Sequence, residues 1–264
     1  MSMIRRDSAD HASDRSRPVG RGTSAAGACA ATLALLLLAA CFSLDQPQRR
    51  VELEALLGEP EVLVVVDRRA SLAYVTAGGA LTFSTGFEAG EALRAEFDLP
   101  SPTPGFAEAF VAALREKPRL AAARFRVLDL GEAEATLRER GAGQVFYLHT
   151  GEWRLYYDLS LDHYVMKVWL NAQIEPAAQV VAGSGTYALP ERLWKASCTV
   201  RGPDPARPIE DWRADGGALL HQTLEQAQRQ CGHKAAELLV EFLEGGEAQG
   251  AFDFGDLPKE PGPR

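Results

Sequence analysis

The sequence predicts an α/β (α+β) domain, a mixed β-sheet with helices packed on it and a closing C-terminal helix. Three observations predict it. Val62-Leu-Val-Val-Val-Asp67 is a continuous apolar, valine-rich run of the kind found in strands buried on both faces. Between Gln144 and Val200 the chain is dominated by extended segments, several of which alternate apolar and polar residues. From Gly217 to Glu244 apolar residues recur at helical spacing. A β-α-β-α-β opening, then an antiparallel meander, then a helix gives a mixed sheet in layers with helices.

The elements follow in order. Ser71–Thr76 reads as a second strand, after which Gly78-Gly79 turns the chain. Leu81 to Pro104 is rich in Gly, Ser, Thr and Pro and reads mostly as loop, with a short helix near Glu88–Glu96. Phe106 to Lys117 places Phe106, Phe110, Val111 and Leu114 on one helical face, and Pro118 ends that helix. Arg124–Asp129 reads as a strand, and Glu132–Arg140 as a short helix stopped by Gly141. Gln144–His149 is a buried strand, which Trp153–Asp158 continues or pairs with. His163–Ile174 alternates, with Tyr164, Met166, Val168, Leu170, Ala172 and Ile174 on one side. Val180–Tyr187 and Arg192–Val200 read as two more extended pieces parted by Pro190. On the last helix Leu219, Leu220, Leu224, Ala227, Cys231, Ala235, Leu238, Leu239 and Phe242 form a broad apolar stripe.

Ahead of this domain, Ala28–Ala40 is an apolar run behind a segment carrying Arg5, Arg6, Arg15, Arg17 and Arg21. It closes on two small residues and Cys41. Basic, then apolar, then small is the layout of a secretory signal. The run is short of the about 20 residues that a membrane span needs. The cysteine directly behind it resembles the lipobox of bacterial lipoproteins. That resemblance implies cleavage before Cys41 and attachment of a diacylglycerol to its thiol. Phe42 stands where an aspartate would retain such a protein at the inner membrane, so the resemblance implies an outer-membrane anchor facing the periplasm. The organisation expected is a lipoprotein signal peptide at 1–40, a lipidated tether at 41–50, a single periplasmic domain at 51–244 and a disordered tail at 245–264. Gly245, Gly246, Gly250, Gly255, Pro258, Pro261, Gly262 and Pro263 are the basis for the tail.

Charge excludes some partners. The chain carries 28 basic and 36 acidic residues. Without residues 1–40, 23 basic and 33 acidic residues remain, a net charge of −10. Such a surface does not suit nucleic acid, where Lys and Arg must neutralise phosphates. It does not suit electrostatic adsorption to anionic lipid either, so the N-terminal lipid would hold the protein at the membrane. Of four cysteines, Cys29 lies in the signal and Cys41 is the lipid acceptor. Cys198 and Cys231 remain as a pair in an exported chain, where disulfides persist. Cys231 sits on the apolar stripe of the last helix, so a Cys198–Cys231 bridge would staple that helix to the sheet. Two buried free thiols are the alternative.

The order of elements, the strand after Gly141-Ala-Gly-Gln-Val-Phe-Tyr leading to Trp153, and a later strand with Leu193-Trp194-Lys-Ala are similar to a set of outer-membrane lipoproteins. Their periplasmic domain resembles the amino-terminal domain of TolB and the curli secretion channel protein. The resemblance covers roughly Val62 to Leu243, implies a fold, and implies an accessory subunit of envelope transport or assembly. A pore-forming oligomer needs long amphipathic hairpins, which only His163–Ile174 approaches.

Candidate chemistry is sparse. His149 and His163, with Asp158 or Asp162, would make a metal site only if neighbouring strands brought them together. Gly183-Ser184-Gly185 lacks the wider nucleophile-elbow pattern, and Gly78-Gly79 has no following Lys-Ser or Lys-Thr for phosphate. Asp204, Glu210, Asp211 and Asp215 fall in a Pro-containing loop and read as solvated charge. The reading is non-catalytic, with no metal and no cofactor. The alternative is an envelope hydrolase with dispersed catalytic residues. Trp153, Tyr156, Tyr157, Tyr164, Trp169 and Trp194 are mostly core or cross-strand packing. Trp212, Trp153 and Tyr157 are the candidates for contact with an envelope protein partner, because Trp and Tyr anchor interfaces.

Overall fold

In the computed structural model the chain divides into two units, Met1–Leu44 and Asp45–Arg264, and the second is described here. The structure describes residues 46–75, 83–140, 143–157, 162–182, 192–247 and 249–256. Cys41 with its apolar run, Gly78-Gly79, Asp158, Gly183-Ser184-Gly185 and the chain beyond 256 lie outside them.

Helix α1 spans 46–57. It begins inside the segment expected as a tether and ahead of the expected domain start at 51. Pro47 does not oppose this, because proline is tolerated in a first helical turn. Leu53 and Leu56 are buried in the main core. Arg50 stands over the Phe242 ring at 5.5 Å and its Nη2 donates to Gly246 O at 3.0 Å, which pins α1 to the far end of the chain.

The strands are β1 Val62–Asp67, β2 Ala73–Val75, β3 Phe125–Asp129, β4 Gln144–Tyr157, β5 His163–Pro176, β6 Trp194–Pro208 and β7 Gln249–Asp256. The helices after α1 are α2 Phe83–Glu96, α3 Pro102–Arg115, α4 Leu130–Arg140, α5 Ala177–Ala182 and α6 Ile209–Leu243. The sheet order is β3-β1-β4-β5-β6-β7, with β2 added beside the second half of β4. β1 runs parallel to β3 and β4, β4-β5-β6 form the antiparallel meander, and β7 lies parallel to β6. This is the mixed sheet with a closing helix that the pattern predicts.

β1 is buried on both faces as its composition dictates. Val62, Val64 and Val66 enter the main core, while Leu63 and Val65 enter a smaller cluster with Leu128, Ala133, Leu137, Val145, Ala177 and Val180. The main core is roofed by residues of α1, α2, α3 and α6, including Leu93, Phe110, Leu220 and Leu239. α4 and α5 cover only the smaller cluster on the opposite face.

Several elements differ from expectation, each for a physical reason. The stretch 81–104 is mostly helical, not loop. Its glycines read as breakers, but Gly90 is an approach point: a Cβ there would sit 1.9 Å from Leu72 O, so α2 lies directly on the backbone beside β2. Pro102 and Pro104 stand in the first turn of α3, where the missing N–H costs nothing. Gly232 plays the same part where α6 crosses α3, since a Cβ would come 2.5 Å from that of Ala109. Gln144–His149 and the described part of the second expected strand, Trp153–Tyr157, merge into one 14-residue strand, β4, irregular between Thr150 and Glu152. Residues 177–182 are helical where an extended piece was expected to begin at Val180; Ala177 and Val180, one turn apart, share the buried side. α6 begins at Ile209 rather than Gly217 and breaks at Ala214–Gly217, with positive φ at Asp215, Gly216 and Gly217. The tail expected to be disordered supplies β7, which pairs with Lys195–Arg201. The open edge of β6 supplies partners for its backbone N–H and C=O groups, which composition alone does not reveal.

Among the described residues no helix is long and apolar enough to cross a membrane.

Candidate functional site

Strand alternation decides what each side chain of the meander does. On β4, Phe146, Leu148, Trp153 and Leu155 face the helices. On β5, Tyr164, Met166, Val168, Leu170, Ala172 and Ile174 do the same, and on β6 Trp194, Ala196, Cys198 and Val200. The residues between them project from the other, outer face. In register across β4, β5 and β6 these form successive rows: Arg154–Lys167–Arg201, Glu152–Trp169–Thr199, His149–Asn171–Ser197 and Tyr147–Gln173–Lys195. Val145 and Glu175 continue the series beside Arg192.

The expected partner-binding residues are not on this face. Trp212 is 0% exposed, and its Nε1 donates to Tyr164 O at 3.3 Å. It lies in the short first segment of α6, before the break, and seats that segment on the sheet. Trp153 is 2% exposed and lies under the Arg94 guanidinium, 5.7 Å from its ring. Tyr157 is half-buried and packs against the main core. Trp212 and Trp153 are packing residues, because a buried ring presents nothing to a partner, while Tyr157 keeps part of its ring exposed. The expected staple is present: Cys198 and Cys231 form a disulfide between β6 and α6, both ends buried in the main core.

Trp169 takes the exposed position instead. It is 37% exposed, and its ring lies over Gly151, where an added Cβ would come within 2.9 Å of it. Beside it, Glu152 holds Arg154 at 2.9 Å and Lys167 at 2.6 Å, and the Arg154 guanidinium stacks 4.7 Å over the Tyr156 ring. The sequence carried a signal for this: the alternation that puts Tyr164, Met166 and Val168 inward puts Val165, Lys167 and Trp169 outward.

The inner rows are polar yet buried. Asn171, Gln173 and Glu175 all lie under 10% exposed. Ser197 Oγ donates to Asn171 Oδ1 at 2.7 Å, and Arg192 Nε donates to Glu175 Oε1 at 2.8 Å. Lys195, beside them, has its pKa lowered by burial and by the Arg192 charge.

At the end of β1, Asp67 accepts from Arg69 Nε at 2.9 Å, Arg69 Nη2 at 2.7 Å, the Arg69 backbone N–H at 2.9 Å and the Tyr147 hydroxyl at 2.7 Å. Burial alone would raise the Asp67 pKa, but these donors together bring it down to about 2. Tyr147 is pushed up, by burial first and then by Asp67. His149 stacks on Tyr147, with centroids 5.3 Å apart, and burial brings its pKa down to about 4.

This last shift gives a pH prediction. The folded His149 resists a proton that the unfolded imidazole accepts at about 6.5. Stability is therefore complete above pH 6.5 and falls as the pH drops toward 4, by up to about 3 kcal/mol from this group. Asp67 adds a second loss between about pH 4 and 2. Urea unfolding at pH 7, 5.5 and 4.5 should show the first leg in the native chain and a flatter one in His149→Gln.

His149 and His163 do not meet. His149 is in register with Asn171, eight positions along β5 from His163, which pairs with Asp162 at 2.7 Å. His221 bonds the Phe97 carbonyl at 2.9 Å. Among the described residues no group of three or more His, Cys, Asp or Glu is placed to hold a metal ion. A separate open groove of about 340 Å³, lined by residues including Glu59, Glu61, Leu137 and Gln144, lies at the opposite end of β1 from Asp67.

No protein-family model and no curated protein matches the chain. Among solved structures, lipoprotein GNA1162 from Neisseria meningitidis is similar with 14% identity and a TM-score of 0.22, over 62% of this chain and 97% of that chain. A likeness that loose carries no inference about task, and a TolB-like or curli-channel-like fold finds no support in these comparisons.

Proposed function

We propose that the chain is a lipid-anchored lipoprotein of the bacterial outer membrane. On this reading its periplasm-facing domain is a non-catalytic accessory subunit that binds an envelope protein. One observation carries the reading furthest: the buried Cys198–Cys231 bridge. Such a crosslink belongs to a chain matured in an oxidising compartment. It joins the sequence layout around Cys41, in which a basic segment and an apolar run end at small residues and a cysteine. The binding role is supported by a sheet face that carries Trp169, Tyr156 and Arg154, the residue types that dominate interface energies.

Metabolic labelling with palmitate tests the anchor. The native chain should take up label and Cys41→Ala should take up none. Equal labelling of the two would overturn the reading.

A further inference from the structure

Resting on the lipoprotein reading, we propose that the domain lies directly against the bilayer that holds its lipid, α1 end first. The exposed stripe Pro47, Val51 and Ala55 of α1 is turned to the phospholipid headgroups, and the far end of the sheet, at Tyr157 and His163, points away from them.

Chain length is the first reason. α1 begins at residue 46, so only residues 42–45 separate it from Cys41. Five Cα-to-Cα steps cover at most about 18 Å, however the chain runs. An acylated cysteine sits where its chains enter the hydrocarbon, under a headgroup layer about 5–8 Å deep. About 10 Å of leash is then left outside the bilayer. A chain of about 210 residues folds to about 40 Å across, so a leash that short fixes which end meets the membrane.

The attachment point is rigid, which is the second. Leu53 and Leu56 of α1 are buried in the main core. Arg50 covers Phe242 and donates to Gly246 O, and Arg119 joins Glu54 of α1 to Leu243 O. These contacts fasten α1 to the C-terminal end of α6. Gly246 stands three residues before Gln249, which is level with Lys195, Gln173 and Tyr147 across the sheet. The leash therefore pulls on that end of the sheet. Tyr157 lies ten positions beyond Tyr147 on β4, about 30 Å away.

The composition of α1 is the third, and it selects the side that lies down. Pro47, Val51 and Ala55 are spaced by four, share one helical face and are all exposed. Val51, at 62%, is the most exposed large apolar side chain of the described surface. Glu54 beside it is paired with Arg119, so its charge does not stand alone against the headgroups. An apolar stripe on a helix held at the interface gains by turning into the headgroup boundary. The acyl chains supply the affinity and the stripe supplies the orientation.

The test is quenching of a fluorescent residue in the full-length chain, purified with its lipid from the membrane. Val51→acridonylalanine and His163→acridonylalanine chains are placed in vesicles of phosphatidylethanolamine and phosphatidylglycerol that carry a headgroup nitroxide. Gln48→acridonylalanine, also exposed on α1, repeats the first reading should the Val51 variant lose the native thermal midpoint. The expected result is loss of at least about half the emission at 51 and of under about a tenth at 163, the two ends of the sheet being about 30 Å apart. Equal quenching at both positions, stronger quenching at 163, or none at either, in a chain whose mass shows an acylated Cys41, would overturn the inference and leave the lipoprotein reading standing. A mature chain with no acyl group on Cys41 would sink both.

Discussion

Trp212→Ala is expected to lose about 3–5 kcal/mol of stability, the range for truncating a fully buried aromatic. The ring is 0% exposed and gives its indole N–H to Tyr164 O, so the change removes a large apolar volume and leaves a buried carbonyl without that donor. The short segment Ile209–Arg213 is joined to the rest of α6 only through the break at Ala214–Gly217, so rigid helix cannot hold it in place. With the anchor gone it should detach from the sheet end, where Tyr164 packs on Tyr74 with ring centroids 5.4 Å apart. Urea unfolding followed by circular dichroism measures the loss, and a midpoint drop on the order of 10 °C should accompany it. Trp169→Ala is the comparison and should cost only about 1 kcal/mol, because the ring is 37% exposed and fills no core site. Equal effects at the two tryptophans would contradict the assignment of one to packing and the other to the surface.

Removing the crosslink is the second large effect. Cys198 and Cys231 are 33 positions apart, and closing a loop of that size restricts the unfolded chain by about 3–4 kcal/mol on the entropy model. The bridge ties β6 directly to α6, so its loss also frees the closing helix from the sheet it covers. The Cys198→Ala/Cys231→Ala chain should unfold at correspondingly lower denaturant. Dithiothreitol should lower the native chain to nearly the same midpoint and leave the double variant unmoved. A native chain insensitive to reductant would mean that the bond does not form in the mature protein.

The fold class was legible because its cues are local. Val62–Asp67 could only be a strand buried twice over, and the alternation through His163–Ile174 fixed which side chains met the helices. The bridge was legible because Cys231 lies on the apolar stripe that had to face the sheet. What sequence could not supply was contact between distant backbones. Gly90 looks like a helix breaker until Leu72 is seen against it, and the tail from Gln249 looks unstructured until β6 offers it an edge. Trp212 looked like a loop residue because the helix was expected to start at Gly217; the segment before the break is helical too and turns the ring inward. On the outer face, Trp169 was readable from parity alone, but not the Glu152 clamp, which depends on an irregularity in β4 at Thr150–Glu152 that no periodicity announces.

The two sides of the sheet carry unequal obligations. Helices crowd one side so closely that Gly90 and Gly232 leave no room for a methyl group, and substitution there must be answered by neighbours. Around Trp169 the demand is local: its ring leaves no room for a Cβ at Gly151, but no core residue rests on it. Changes at the exposed positions of that end leave the helix-covered core untouched, so the domain offers protein engineers a scaffold on which surface side chains can be exchanged singly.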